Sequence, residues 1–310
     1  MDNNVQNVPI MGLGMKHSLS PRELAEAIGV SESSLKRWVD EGRLEVTRTE
    51  GGHRRIALSE AVRYIRRSGS RIVNPVALGL ADVTNLPPNQ LERPESADQP
   101  LVDAIVGGQA ALARGLVAAM YIGGRSVSEI CDGPIARAMH FVGDLWKHSE
   151  KGILIEHRAT DTSAQSLNLL RSLIKPAASD APLATGCTPA GDPYILTSMM
   201  ASVTLCAEGW REENLGADVP LDLMAAAARE REASLVWVSV CMEQSSQKLA
   251  GQLLTLATDL QSISCPLAVG GRMLPPRPML VGDNLHVISN MSELAAFARG
   301  LQTANSASTV

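Results

Sequence analysis

The chain has 310 residues, 45% of them hydrophobic and only 3% aromatic, with a formal net charge of -5. That length allows two or three domains, whose cores must rest on Leu, Val, Ile, Ala and Met. No apolar run reaches the ~20 residues of a membrane span and the N-terminus lacks a signal-peptide pattern, so a soluble, cytoplasmic protein with no membrane partner is expected.

Charge is unevenly spread. From Lys16 to Arg71 there are 12 Lys+Arg against 8 Asp+Glu, a net of +4, so the remainder carries -9. A basic module on an acidic body suits a DNA-binding head with a regulatory body. The five cysteines (Cys131, Cys187, Cys206, Cys241, Cys265) form no C-x-x-C pair. They read as small buried hydrophobes in a reducing compartment, not as a zinc ribbon or disulfide framework.

Residues 1–15 are polar, then rich in Gly and Met, and are expected to be disordered. Residues 16–71 read as a head. Ser20 caps a helix with Pro21 at its first position and Glu23 completing Ser-x-x-Glu. Leu24, Ala25 and Ile28 form its buried stripe, and Gly29 ends it. Ser31 caps a second helix to Glu41, with Leu35, Trp38 and Val39 on one face and Ser33, Ser34, Lys36 and Arg37 on the other. Gly42 closes it. A hairpin follows with Gly51-Gly52 at its tip, because glycine tolerates positive φ. His53, Arg54 and Arg55 come next, and Ser59 caps a third helix over Glu60–Arg67.

Two helices, the "EGRL" turn, the "TEGGHRRI" hairpin and a closing helix in this order resemble the winged-helix head of the MerR superfamily. The resemblance implies that the Ser31–Glu41 helix enters the major groove and that the Gly51–Arg55 wing tracks phosphates or the minor groove. Lys36, Arg37, Arg43, Arg48, Arg54 and Arg55 would then contact phosphates, with Ser33, Ser34 and His53 near the grooves. Trp38 reads as a core residue between helices.

Residues 72–100 include "NLPPNQLERPESADQP", a Pro-, Asn- and acid-rich stretch expected to be a tether. Residues 101–178 carry helical patterns over about 101–122, 126–147 and 153–173, read as a four-helix-type bundle. Trp146 and Glu156-His157 fall at neighbouring helix ends. On residue chemistry alone they are a core tryptophan, a helix-start acid and a surface histidine. Their Trp-x9-Glu-His spacing is similar to the signature of CarH-like cobalamin-dependent repressors, where the motif lies over the upper face of the cofactor.

Residues 179–305 alternate short apolar runs with helical patterns. Strands are expected near 183–188, 216–218, 234–242, 266–271 and 286–290, with helices near 195–208, 221–230, 246–260 and 293–301. Such alternation implies a doubly wound parallel Rossmann-like sheet with any ligand at the strands' C-terminal ends. The expected fold class is therefore multidomain α/β: a winged helix-turn-helix head, a helical bundle and this sheet. The last part resembles a cobalamin-binding domain, which implies that Ser239 or Ser245 and Gly270-Gly271 lie beside the nucleotide tail. Gly-Gly is also a common strand-to-loop turn.

The resemblance breaks in the first loop. The family's Asp-x-His-x-x-Gly corresponds to "GDPYILTS", so Asp192 is kept but Tyr194 stands at the position of the lower cobalt ligand. A phenol of pKa ≈ 10 is a poor substitute for imidazole. Lys147 stands where an upper-side histidine can act. Three readings stay open: cobalamin without a protein lower ligand; haem or an open-chain bilin, with Tyr194 or Cys187 engaged; or no cofactor, with control by protein contacts. The expected function is a DNA-binding repressor and not an enzyme. Its body would set a dimer or tetramer on operator DNA in response to a tetrapyrrole, light or an anti-repressor protein. A cobalamin-dependent methyltransferase-like module is the rival.

Overall fold

The computed structural model describes residues 16–84, 86, 94–146 and 151–307. The N-terminal 1–15 segment, Lys147 and His148 lie outside them. The chain divides into two compact units, Met1–Leu86 and Pro87–Val310.

In the first unit, α1 (Pro21–Ile28) and α2 (Glu32–Asp40) start where side-chain chemistry supplies acceptors. Ser20 caps α1 in a complete capping box with Glu23, and Ser31 accepts the Ser34 N–H at the start of α2. Gly29 ends α1 at φ 70°, a left-handed conformation that suits glycine. Strands β2 (Thr47–Arg48) and β3 (Arg54–Ala57) form the wing, with Arg48 opposite Arg54. The sequence reading missed β1 (Ser18–Leu19), which pairs antiparallel with the other edge of β3. Two residues are too short for any periodicity to register.

The third helix of the head, α3 (Leu58–Ser68), begins earlier than expected. Its N-cap is Ala57, without a side-chain cap bond, so Ser59 does not cap it. The start is held instead by Glu60, which is 3% exposed, accepts the Glu45 N–H at 3.0 Å and pairs with Arg63. Trp38 of α2 is half-buried and stacks tilted on Tyr64 of α3, ring centroids 5.6 Å apart, so it bridges α2 to α3 and is not the core residue between the first two helices that was expected. The expected tether from residue 72 starts as folded chain. A 3-10 turn at Pro75–Leu78 packs on α1 and is followed by α4 (Ala81–Thr84), and Leu78, Leu80, Val83 and Leu86 are buried.

In the second unit, α5 (Asp98–Gly107), α6 (Ala110–Ile122), α7 (Val127–Ile130) running into α8 (Ala136–Trp146), and α9 (Lys151–Leu173) form the bundle. The helix expected over 101–122 is broken at Gly108, whose φ is 68°. A Cβ there would lie 2.2 Å from Arg158 Cδ of α9, so a side chain at this position would push aside that exposed arginine as well as strain the left-handed backbone. Between α7 and α8 the chain widens into a π turn at Cys131–Ile135. Pro134 causes it, having no N–H to donate and a ring that crowds the carbonyl one turn back.

The sheet is five-stranded and parallel, ordered β5-β4-β6-β7-β8. Its strands are β4 (Leu183–Cys187), β5 (Arg211–Asn214), β6 (Leu235–Ser239), β7 (Leu267–Gly270) and β8 (Leu285–Val287). Strand β5 is not at 216–218, where Gly216 (φ 90°) and Asp218 (φ 60°) turn the chain. "REEN" went unread because β5 is an edge strand, and charged edges discourage further pairing at the expense of the apolar signal. Helices α10 (Leu196–Ala207) and α13 (Met291–Ala307) cover one face; α11 (Met224–Glu230) and α12 (Ser246–Gln261) cover the other. Bundle and sheet are joined through the π turn. Asp132 accepts from the Met291 and Ser292 N–H groups, at 2.7 and 2.9 Å, and from the Ser292 hydroxyl at 2.7 Å, capping α13.

Candidate functional site

On the head, the outer face of α2 is polar, as expected for a groove-reading helix. Ser33 and Ser34 cluster with the Ser31 cap at 2.9 and 2.8 Å. Lys36 pairs with Glu32 at 2.9 Å, Arg37 with Glu41 at 3.7 Å and Arg43 with Glu41 at 2.8 Å. These are exposed pairs that a phosphate can outcompete, since such ion pairs are worth about 0–1 kcal/mol. One wing arginine is turned inward to a degree the sequence did not show. Arg54 donates to Asp40 at the end of α2 at 2.7 Å, and Arg55 lies 3.8 Å from Glu23 of α1. The Arg54 bond ties the wing to α2, while Arg55 stays exposed. Arg48 and His53 are exposed, and neither has an ion-pair partner among the described residues. The wing turn closes by Thr49 N–H to His53 carbonyl (3.0 Å) and Gly52 N–H to Thr49 carbonyl (2.8 Å), with Gly52 at φ 77°.

At the C-terminal ends of the strands, β4 lies between β5 and β6, so the crossover direction reverses between the loops after β4 and β6. Open parallel sheets bind ligands at such a point. Here Asp192 bridges the two loops. Its carboxylate is fully buried and accepts three backbone N–H groups: Cys241 at 2.5 Å, Met242 at 2.9 Å and Tyr194 at 3.0 Å. Tyr194 is half-buried, with the Arg272 guanidinium 5.9 Å from its ring centroid. Arg272 Nε donates to the Cys241 carbonyl at 3.4 Å, and a Cβ on Gly143 of α8 would lie 3.5 Å from the same guanidinium. Arg272 therefore stands in the seam between α8 and the strand ends. The sequence reading missed it because nothing in its local pattern sets it apart from any loop arginine.

The other expected cofactor residues are scattered around this seam. Glu156 of α9 accepts the Thr160 hydroxyl at 3.0 Å, and His157 is exposed. Trp146 ends α8, but its side chain lies outside the described part of the chain. Ser239 is 4% exposed and sits opposite Gly270 in the β6–β7 ladder. A Cβ on Gly270 would come 3.2 Å from the Ile288 carbonyl oxygen, and one on Gly271 2.1 Å from that of Val240. Close backbone approach between strands is thus sufficient reason for both glycines. Ser245 precedes α12 and makes no side-chain cap bond there. Cys187 packs in the apolar cluster beneath α11 and α12, and burial pushes its thiol up to about 12, so it is no attachment point. All five cysteines are free and buried, as the sequence suggested.

Comparison with known proteins follows the two units. A family model described as a helix-turn-helix domain matches residues 18–69, and one described as a B12 binding domain matches residues 98–171. No curated protein matches the chain. The structure of a Methanosarcina barkeri monomethylamine corrinoid protein superposes with a TM-score of 0.56 at 20% identity, covering 67% of this chain and 99% of that one. This likeness is one of fold. A Methanosarcina barkeri methanol:cobalamin methyltransferase complex (TM-score 0.37, 14% identity, 76% and 88% covered) is also similar. So is a cobalamin-binding protein from Desulfitobacterium hafniense (0.33, 15%, 73% and 96%).

Cobalamin is thus the candidate cofactor, but the residues present do not fit it as the resemblance implies. The position that the resemblance assigns to the lower ligand holds a phenol, the Asp192 carboxylate is spent on three backbone donors, and the space a side chain at Gly271 would need is taken by the Val240 backbone. A helix-turn-helix head joined to a B12-binding-type body fits a CarH-like regulator.

Proposed function

We propose that the protein is a DNA-binding transcription regulator, a repressor, whose body sets its association state through a tetrapyrrole-class ligand met at the seam of α8, Tyr194 and Arg272. The observation that carries the DNA-binding part is the exposed wing. Arg48 and His53 are exposed and without ion-pair partners among the described residues, on the same head as a polar α2, which suits phosphates flanking a groove. The seam supports the second part: a half-buried phenol beside a guanidinium suits the carboxylates and conjugated face of a tetrapyrrole better than it suits cobalt. Capping of α13 by Asp132 ties the bundle to the sheet, so a ligand in the seam would act on both.

A second reading is a regulator without cofactor, controlled by protein contacts. It is favoured by Asp192, which already closes the crevice between the β4 and β6 loops. Absorption spectra of protein purified after supply of cobalamin, haem and biliverdin, each in dark and light, separate the two. A coloured complex whose operator affinity or association state changes supports the ligand reading. A colourless protein that still binds its own upstream DNA in a gel shift leaves the second. Failure to bind that DNA refutes both.

A further inference from the structure

We infer that Trp237 occupies the path along the sheet that the resemblance assigns to a nucleotide tail, so the body excludes the tail of a cobalamin. Side chains alternate along β6. Leu235 and Trp237 face α10 and α13, while Val236 and Val238 face α11 and α12. Ser239, one of the expected tail contacts, therefore shares the face of Trp237 and stands one step nearer the strand end. A tail entering past Ser239 meets the indole next.

The indole is locked there. It is 2% exposed, and its Nε1–H donates to Ser198 Oγ of α10 at 2.9 Å. That hydroxyl in turn donates to Asn214 Oδ1 of β5 at 3.0 Å. Gly186 lies opposite Trp237 in the β4–β6 ladder, and a Cβ there would come 2.0 Å from the indole Cδ2. Gly186 is the floor on which the protein's own ring lies. Leu294 and Ala298 of α13 belong to the same buried cluster and close the other side. Admitting a tail would require the indole to leave a buried, occupied site and to abandon its one N–H partner.

The inference rests on the B12-type reading of the body and not on DNA binding. Operator binding by the same preparation therefore separates a failure here from a failure of the regulator reading. The test compares hydroxocobalamin with cobinamide, the corrinoid lacking the nucleotide tail, by absorbance titration of the full chain. We expect affinities within about threefold of each other, or binding of neither. A preference for hydroxocobalamin above about tenfold overturns the inference.

Trp237→Ala is expected to raise hydroxocobalamin affinity relative to cobinamide by at least about tenfold, and Trp237→Phe, which keeps the space filled, to leave the ratio unchanged. A folded Trp237→Ala protein with no gain also overturns it. If that variant does not fold, the wild-type ratio decides alone.

Discussion

Replacement of Asp192 distinguishes a brace from a ligand partner. In Asp192→Ala the N–H groups of Cys241, Met242 and Tyr194 lose their acceptor together. An unmet buried donor costs about 1–3 kcal/mol, more when the lost acceptor was charged. The Cys241 amide is fully buried and the other two are partly so, which lets water recover some of the loss. The expected destabilisation is therefore about 3–5 kcal/mol, concentrated at the ends of β4 and β6. Asp192→Asn keeps the shape and can still accept through one oxygen. Turning that oxygen toward Cys241 and Met242 sacrifices the Tyr194 bond and the charge, for about 1–3 kcal/mol. Because a chain of several domains need not unfold in one step, the assay is native-state hydrogen exchange at the Cys241 and Met242 amides. Protection should fall about 100-fold or more in the alanine variant and clearly less in the asparagine variant. Protection within about threefold of wild type in Asp192→Ala would refute the brace.

Four other outcomes are expected. Arg48→Ala should lower the slope of log affinity against log salt by about 0.9, the value for one phosphate contact. Arg54→Ala, whose guanidinium is tied to Asp40, should change the slope less while loosening the wing; equal slopes for the two variants would contradict this division. The Lys16 ammonium, together with the Ser20 N–H, pulls Glu23 from 4.5 down to about 2. A lowered carboxylate stabilises above its unfolded pKa, so head stability should fall as pH drops from about 4.5 toward 2 and Glu23→Gln should flatten that fall in acid melts. Burial holds the Cys187 and Cys265 thiols near about 12, so iodoacetamide at pH 8 should leave both intact until urea unfolds the body, as read by mass spectrometry. Asp132→Ala should release the first turn of α13, costing about 0.5–2 kcal/mol and speeding exchange of the Met291 and Ser292 amides.

What the sequence by itself determined was local. Ser20-x-x-Glu23, Ser31, Gly29 and the Gly51-Gly52 turn each carry their chemistry within a few residues, so α1, α2 and the wing were legible. The apolar runs of β4, β6 and β7 were legible too, because central parallel strands are buried on both faces. Distance in the chain hid the rest. Whether Arg54 faces solvent or Asp40, and whether Asp192 orients a ligand or joins two loops, depends on partners 14 and 49 residues away. Gly186 and Trp237 lie far apart in the chain, and only the β4–β6 register lays the indole on the glycine. The sequence thus shows which domains are joined. Tertiary packing decides which polar groups are already satisfied and which space is already filled, since both are set by side chains that meet only once the sheet has formed.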